Sequence, residues 1–165
     1  MANIQTNQEF ISKLKALPVA HQHRLAKQFI SGVVHLSGNS RVGQLVELLA
    51  KPECSDDDVR NARTIAQSVY AETSPGSDIS EFRFDCQATH FIAQAVLACT
   101  ASFEQSGANP MVASKVANYC RMAQTCAGMS QGEESPDFSK AEEAYDQIVR
   151  EQIDILNRFL EAEGS

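Results

Sequence analysis

The sequence predicts an all-α protein, a single-domain bundle of six to seven helices over residues 1–165. Apolar residues recur every three to four positions through most of the chain, and residues suited to helix caps precede several of these stretches. No segment shows the alternation of β-branched and polar residues that is typical of a strand. A chain of 165 residues with 43% hydrophobic side chains is long enough to bury one sizeable core.

The N-terminal segment predicts two helices separated by a proline. Thr6 and Glu9 have the spacing of a capping box, in which each side chain accepts a hydrogen bond from the other residue's backbone N–H. A first helix is therefore expected from this box to about Leu17. Pro18 ends it and suits the first position of a second helix, which is expected to reach about Ser37.

Two further helices are predicted on either side of Pro52. Residues 40–50 carry apolar side chains at helical spacing, and Ser55 is a suitable N-cap for a fourth helix. Three aspartates follow Ser55, and their negative charge is favoured at the positive end of a helix dipole.

The fifth helix, predicted over about residues 79–105, is apolar nearly all round. Such a helix is expected in the centre of a bundle, where every side meets another helix. One narrow polar stripe interrupts its apolar surface at steps of four, three and four residues. This stripe either faces solvent or lines a binding site, so we treat its members as candidate binding residues: Arg83, Gln87, His90 and Gln94.

The last two helices are separated by an acidic connection at residues 129–138, which is expected to be mobile. Asn109 and Pro110 predict the start of the sixth helix, and Gly128 is expected to stop it. Its outward face is expected to carry Ser114, Asn118, Arg121 and Thr125, whereas its alanines should allow close approach to the fifth helix. The last helix is predicted over about 139–162, with a core stripe of Tyr145, Ile148, Gln152, Ile155 and Phe159.

The acidic charge is concentrated at the C-terminal end. Ten of the 21 acidic side chains but only three of the 14 basic ones fall in residues 129–165, so this segment carries the whole formal charge of −7. Nucleic acid is excluded as an expected partner because binding it requires a basic face. An acidic helix could meet a basic protein, which makes Glu142, Glu143 and Asp146 candidate binding residues.

Neither a catalytic motif nor a metal motif stands out. Cys86 and His90 are four residues apart, a spacing at which two ligands can share one face of a helix, and they form the weak candidate for a metal site. Zinc would require two more ligands, and no second Cys/His pair has such spacing. We therefore expect no cofactor and no enzymatic activity.

The sequence contains no targeting or membrane signal of the usual kinds. The first residues, MANIQTNQEF, lack the basic and then apolar arrangement of a secretory signal. No apolar run reaches the roughly 20 residues that span a bilayer. A cytoplasmic protein with no membrane contact is expected.

Two segments resemble a known group of proteins. FISKLKALPVAHQHRLAKQF, with its Leu17–Pro18 break, and the alanine-rich FDCQATHFIAQAVLACTASF are similar to segments of the YjaG-like family of small helical bacterial proteins, a domain of unknown function. The resemblance implies a helical bundle of bacterial origin and no functional residues. SGVVHLSGNSR, after residue 30, departs from the Cys/Glu/Arg-containing stretch and the aromatic residues of that family.

The function that these observations favour is that of a non-enzymatic protein–protein interaction module. The alanine-rich pair of helices is similar to helical immunity proteins of bacterial toxin systems, so an immunity or regulatory role is the most concrete expectation. Its partner would be an unidentified protein or a second copy of the chain. The alternative is a bundle that binds a small molecule or a metal through Cys86 and His90.

Overall fold

The computed structural model describes residues 3–51, 54–74, 84–101, 111–129 and 138–164, and the side chains of all of these except 84–86. It confirms the all-α prediction, because these residues form α-helices and one 3-10 turn and no strand. The seven helices are α1 (Asn7–Ala16), α2 (Val19–Val33), α3 (Ser40–Ala50), α4 (Asp56–Thr73), α5 (Phe84–Ala101), α6 (Val112–Met129) and α7 (Phe138–Gly164).

Local caps position the first and fourth helices as predicted. Thr6 Oγ1 accepts from the N–H of Glu9 at 3.2 Å, and Glu9 Oε2 accepts from the N–H of Thr6 at 3.0 Å. Ser55 and Asp58 form the same reciprocal pair at the start of α4. Both helices therefore begin where a side chain satisfies otherwise unbonded backbone donors.

The second helix differs from the prediction at both ends. Pro18 takes the N-cap position with extended backbone, so α2 begins one residue later than expected. The α-helix ends at Val33, and a 3-10 turn (Val34–Leu36) continues it to Ser37. There the Ser37 hydroxyl lies 2.8 Å from that of Thr89, and this contact holds the end of the turn against α5.

The core lies around two helices rather than one. A single cluster of buried apolar residues draws on all seven helices. The predicted central helix packs against α2, α4 and α6, whereas α6 packs against α1, α2, α5 and α7. Alanines and cysteines make up much of the buried surface of α5 and α6, and their small side chains allow the close approach that the sequence predicts: Ala93, Ala95, Cys99, Ala113, Ala117, Cys120 and Ala123.

Parts of two predicted segments lie outside the described residues. The central helix expected over 79–105 is described from Phe84 to Ala101. Of the acidic connection expected at 129–138, the two end residues belong to α6 and α7, and residues 130–137 lie outside the described chain.

Gly128 does not stop the sixth helix as predicted. It lies inside α6 and is buried where α6 meets α7. A Cβ built on Gly128 would lie 2.8 Å from the Cβ of Ala144 and 3.0 Å from the carbonyl oxygen of Lys140. The glycine therefore serves a close contact between helices instead of a helix end.

The core stripe of the last helix is rotated from the predicted one. Ile148, Gln152 and Phe159 are buried as expected. Tyr145 is 41% exposed and Ile155 is half-buried. The remaining buried positions of α7 are Ala141, Ala144, Ile153 and Leu156.

Contacts of Asn157 hold the N-terminal segment against the last helix. The amide of Asn157 accepts from the N–H of Ile4 and donates to its carbonyl oxygen, both at 2.9 Å. Among the described helices, none combines the length and the apolar composition needed to cross a membrane.

Candidate functional site

A groove of about 880 Å³ lies between α2, the end of α3 and α7. Its apolar surface comes from Leu49, Ile155 and Phe159, residues of two helices that are far apart in the sequence. Small residues of α2 on its border, among them Gly32 and Ser31, leave the space open. Leu49 and Phe159 are nearly buried and Ile155 is half-buried, so the groove has an apolar floor of small exposed area and walls of polar side chains.

The charge of this groove is opposite in sign to that of the whole protein. Four basic residues, Arg24, Lys27, Lys51 and Arg158, line it, and Glu163 is the one carboxylate among its described lining residues. The chain as a whole has a formal charge of −7. Clustering basic side chains in one concave region creates a local positive potential that attracts anionic groups.

The contacts of Glu163 show how the groove binds a carboxylate. Arg24 Nη1 lies 2.6 Å from Glu163 Oε1, and His21 Nε2 lies 3.6 Å from Oε2. Both partners also contact the ring of Phe159: the Arg24 guanidinium lies 5.3 Å from the ring centroid, and the His21 ring meets it edge-on at 5.6 Å. An acidic side chain is therefore bound above an aromatic surface at this end of the groove.

The described part of the polar stripe on α5 faces inward. Gln87 and His90 are buried, at 7% and 8% exposure, and Gln94 is half-buried. Arg83, the remaining candidate, lies outside the described residues. The stripe therefore does not form a solvated surface along its described length, and its role as a binding site stays a prediction.

The His90 ring is held between α4 and α5 by contacts with Thr73 and Tyr70. Thr73 Oγ1 lies 2.7 Å from the carbonyl oxygen of Val69 and 3.0 Å from His90 Nδ1, with which it shares a hydrogen bond. The ring stacks on Tyr70 at 4.4 Å between centroids, and burial lowers the pKa of His90.

Acidification is expected to destabilise the protein through His90. Because its pKa is lowered in the folded state, the unfolded chain takes up the proton first, at an ordinary histidine pKa of about 6.5. The free energy of unfolding should be constant above about pH 7 and fall as the pH drops through 6.5 toward 5. Urea unfolding at a series of pH values measures this slope.

The variant His90→Asn keeps a donor near Thr73 and removes the titration, so its slope should be shallower. His23, whose pKa is also lowered by burial, should contribute the remainder. His35 is exposed, and His35→Asn is the matched control that should keep the wild-type slope. An unchanged slope in His90→Asn would contradict the assignment.

The Cys86–His90 metal hypothesis stays a prediction. The side chain of Cys86 lies outside the described residues. Within the described ranges, no three or more His, Cys, Asp or Glu side chains are grouped so that they could hold a metal ion. Cys99, Cys120 and Cys126 are free, buried thiols, and burial raises the pKa of Cys99 to about 12 and also raises that of Cys126.

The three acidic candidates lie on a different surface from the groove. Glu142, Glu143 and Asp146 are exposed on the first half of α7, whereas the groove uses the second half of that helix from residue 155 onward. At about 1.5 Å per residue, nine residues or more separate the two surfaces by roughly 14 Å along the helix axis.

A buried polar contact between α6 and α7 contains a residue that the sequence pattern placed wrongly. Arg121 was expected on the outward face of its helix, but it is only 5% exposed. Its Nε donates to Gln152 Oε1 at 2.7 Å, and Gln152 Nε2 donates to the carbonyl oxygen of Ala117 at 3.0 Å. Burial of a charged residue on a polar helix face depends on what the neighbouring helices cover, and periodicity does not contain that information.

The cationic groove was also missed at the level of sequence. Arg24 and Lys27 fall in residues 10–46, a stretch without an acidic side chain, but Lys51 after α3 and Arg158 on α7 lie far from it along the chain, so the sequence does not show that the four come together. A comparison with protein-family models found no match, and comparisons with curated proteins and with solved structures found no significant match.

Proposed function

We propose that this chain is a non-enzymatic interaction module of regulatory or immunity type, which binds an acidic segment of a partner protein in the groove between α2 and α7. The observation that carries the proposal is the charge of the groove. Four basic side chains and one carboxylate line an apolar surface in a protein that is acidic overall. Opposite charges steer a partner to its site and exclude wrong partners.

The partner segment is expected to combine acidic side chains with an apolar anchor. Glu163 supplies the pattern for the acidic part, since its carboxylate is bound by Arg24 and His21 beside the Phe159 ring. Ile155, which is half-buried, supplies the apolar surface for the anchor. Buried apolar anchors contribute most of the affinity of such interfaces, whereas the charged rim contributes orientation and association rate.

The acidic surface on α7 is a second interaction surface for the same class of function. Glu142, Glu143 and Asp146 would recognise a basic partner, whereas the groove would recognise an acidic one. Because the two surfaces would bind partners of opposite charge, charge-reversal variants can show which surface binds a given partner.

Reversing the charge of the groove is expected to weaken binding of an acidic probe. The probe is a fluorescein-labelled peptide of about twenty residues composed of glutamate and leucine, with a lysine–leucine peptide as its counterpart. The double variant Lys27→Glu, Arg158→Glu should bind the acidic peptide at least about tenfold more weakly in fluorescence anisotropy. The affinity of the wild-type protein should also fall as salt is raised.

The matched control is Lys13→Glu, Lys15→Glu on α1, which makes the same change in net charge outside the groove. This control should bind the acidic peptide like the wild type. Equal weakening in both double variants would overturn the groove assignment, because overall charge would then explain the binding. Strong binding of only the lysine–leucine peptide, lost in Glu142→Lys, Glu143→Lys, Asp146→Lys, would assign the interaction to the acidic surface instead.

Measuring the molar mass in solution distinguishes self-association from binding of a different protein. Light scattering after size-exclusion chromatography should report a monomer for the wild type if the occupant of the groove is another protein. A dimer that dissociates in Lys27→Glu, Arg158→Glu would make a second copy the occupant and overturn the proposed partner.

A further inference from the structure

The strongest unmet chemical requirement among the described residues is that of Arg121. The residue is only 5% exposed, yet none of the ion pairs formed among the described residues includes it. Nε donates to Gln152, a neutral acceptor, and Nη2 is buried with no hydrogen-bond acceptor in the described part of the chain. A buried cation without an anionic partner is unfavourable, and so is a buried donor without an acceptor.

Aromatic rings offset only part of this cost. The Arg121 guanidinium lies 5.0 Å from the ring centroid of Phe10 and 5.8 Å from that of Tyr145. Ring faces stabilise a cation electrostatically without accepting its in-plane N–H groups in the way that an oxygen does. Desolvation accordingly lowers the pKa of Arg121. Tyr145 opposes this lowering of the pKa, and no carboxylate among the described residues is paired with the guanidinium.

A cleft of about 300 Å³ lies between α1 and α6, and Arg121 is one of its lining residues. Arg121 forms part of its wall, together with the polar residues Ser114, Lys115 and Asn118. Ile11 on α1 contributes an apolar side. The described lining contains two basic residues and no acidic one, so these residues would attract an anion and none of them would repel it.

We propose that the cleft between α1 and α6 binds a small oxyanion, a carboxylate or a phosphate, through Arg121 and Lys115. The guanidinium supplies directed N–H donors, Lys115 at the exposed rim supplies a second positive charge, and Ser114 and Asn118 supply neutral hydrogen-bonding groups. The site is independent of the α2–α7 groove, since the two have no lining residue in common.

The proposal is tested by titrating the wild-type protein with inorganic phosphate, with acetate and with chloride at constant ionic strength. Two readouts are followed: the NMR signal of the Arg121 Nε–H group and the melting temperature. Phosphate or acetate should shift the signal along a saturable curve in the millimolar range and raise the melting temperature, whereas chloride should do neither. The comparison of phosphate with acetate distinguishes a phosphate from a carboxylate ligand.

Three variants locate the site. Lys115→Met, at an exposed position, should weaken the binding of the better anion by about threefold to tenfold. Arg121→Met combined with Gln152→Leu removes the buried charge and its neutral partner together and should abolish the saturable response. Lys27→Glu, Arg158→Glu, which alters only the other groove, should respond like the wild type.

Two results would overturn the inference. The first is equal behaviour of phosphate, acetate and chloride toward the wild-type protein, because a site for oxyanions would then be missing. The second is a saturable response that survives in Arg121→Met, Gln152→Leu or disappears in the groove variant, since binding would then occur elsewhere on the surface.

Discussion

Replacing Gln152 by leucine is expected to lower the free energy of unfolding by about 3 kcal/mol, although leucine is apolar and of similar size. The side chain of Gln152 is 1% exposed and provides Arg121 with the acceptor for Nε. Without it, the buried guanidinium keeps its charge and loses the neutral group that solvates it. The loss therefore comes from an unsatisfied charge and not from a cavity.

Combining Gln152→Leu with Arg121→Met is expected to restore most of that stability. Arg121→Met alone should cost about 1 kcal/mol, because it leaves Gln152 Oε1 without a donor but removes the unneutralised charge. In the double variant neither polar group remains, and the free energy of unfolding should return to within about 1 kcal/mol of the wild type. The single effects would thus be strongly non-additive.

Urea unfolding of the four proteins at pH 7 measures this double-mutant cycle. Additive losses in the double variant would show that Arg121 and Gln152 stabilise α6 and α7 independently. A loss of less than about 1 kcal/mol in Gln152→Leu would contradict the assigned role of its side chain.

Replacing Gly128 by alanine is expected to lower the free energy of unfolding by about 2 kcal/mol. In an ordinary helix position the same change stabilises by up to about 1 kcal/mol, because alanine has the higher helix propensity. At Gly128 the added Cβ would lie 2.8 Å from the Cβ of Ala144 and 3.0 Å from the carbonyl oxygen of Lys140, so α7 has to move away from α6. The free-energy cost of this steric overlap is expected to exceed the gain from the higher helix propensity of alanine.

The matched control for this prediction is Gly43→Ala in α3. No atom lies within 4 Å of a Cβ built there, and the residue is inside a helix. It should therefore stabilise the protein by about 0.5–1 kcal/mol. Thermal and urea unfolding of both variants should give effects of opposite sign. The double variant Gly128→Ala, Ala144→Gly should be more stable than the sum of the two single effects predicts, because removing the Ala144 Cβ relieves the overlap. Stabilisation by Gly128→Ala alone would contradict the close contact between α6 and α7.

Local signals explain why the helices could be predicted from the sequence. The reciprocal hydrogen bonds at Thr6–Glu9 and Ser55–Asp58 involve residues three positions apart, so their spacing is readable without a fold. The apolar periodicity of the segments is equally local. Gly128 shows the limit of this reasoning, because a glycine near a helix end has the same sequence signature whether it stops the helix or allows another helix to approach.

The candidate sites could not be predicted to the same extent. The groove unites Arg24 and Lys27 with Lys51 and Arg158, residues that lie up to 134 positions apart in the chain. The Arg121–Gln152 contact joins residues 31 positions apart. Their proximity depends on how the helices pack, and a single sequence contains no periodic signal for it.

The sequence by itself determined the helical class, the order of the helices and the residues that cap two of them, because these properties arise from contacts within a few residues. It also determined that acidic charge accumulates toward the C-terminal end. Only the tertiary structure decided that Arg121 is buried without an anionic partner among the described residues, that Gly128 lies against α7 and that basic side chains line one groove. The physical reason is that burial and local potential depend on which helix faces meet, and packing in three dimensions establishes those contacts.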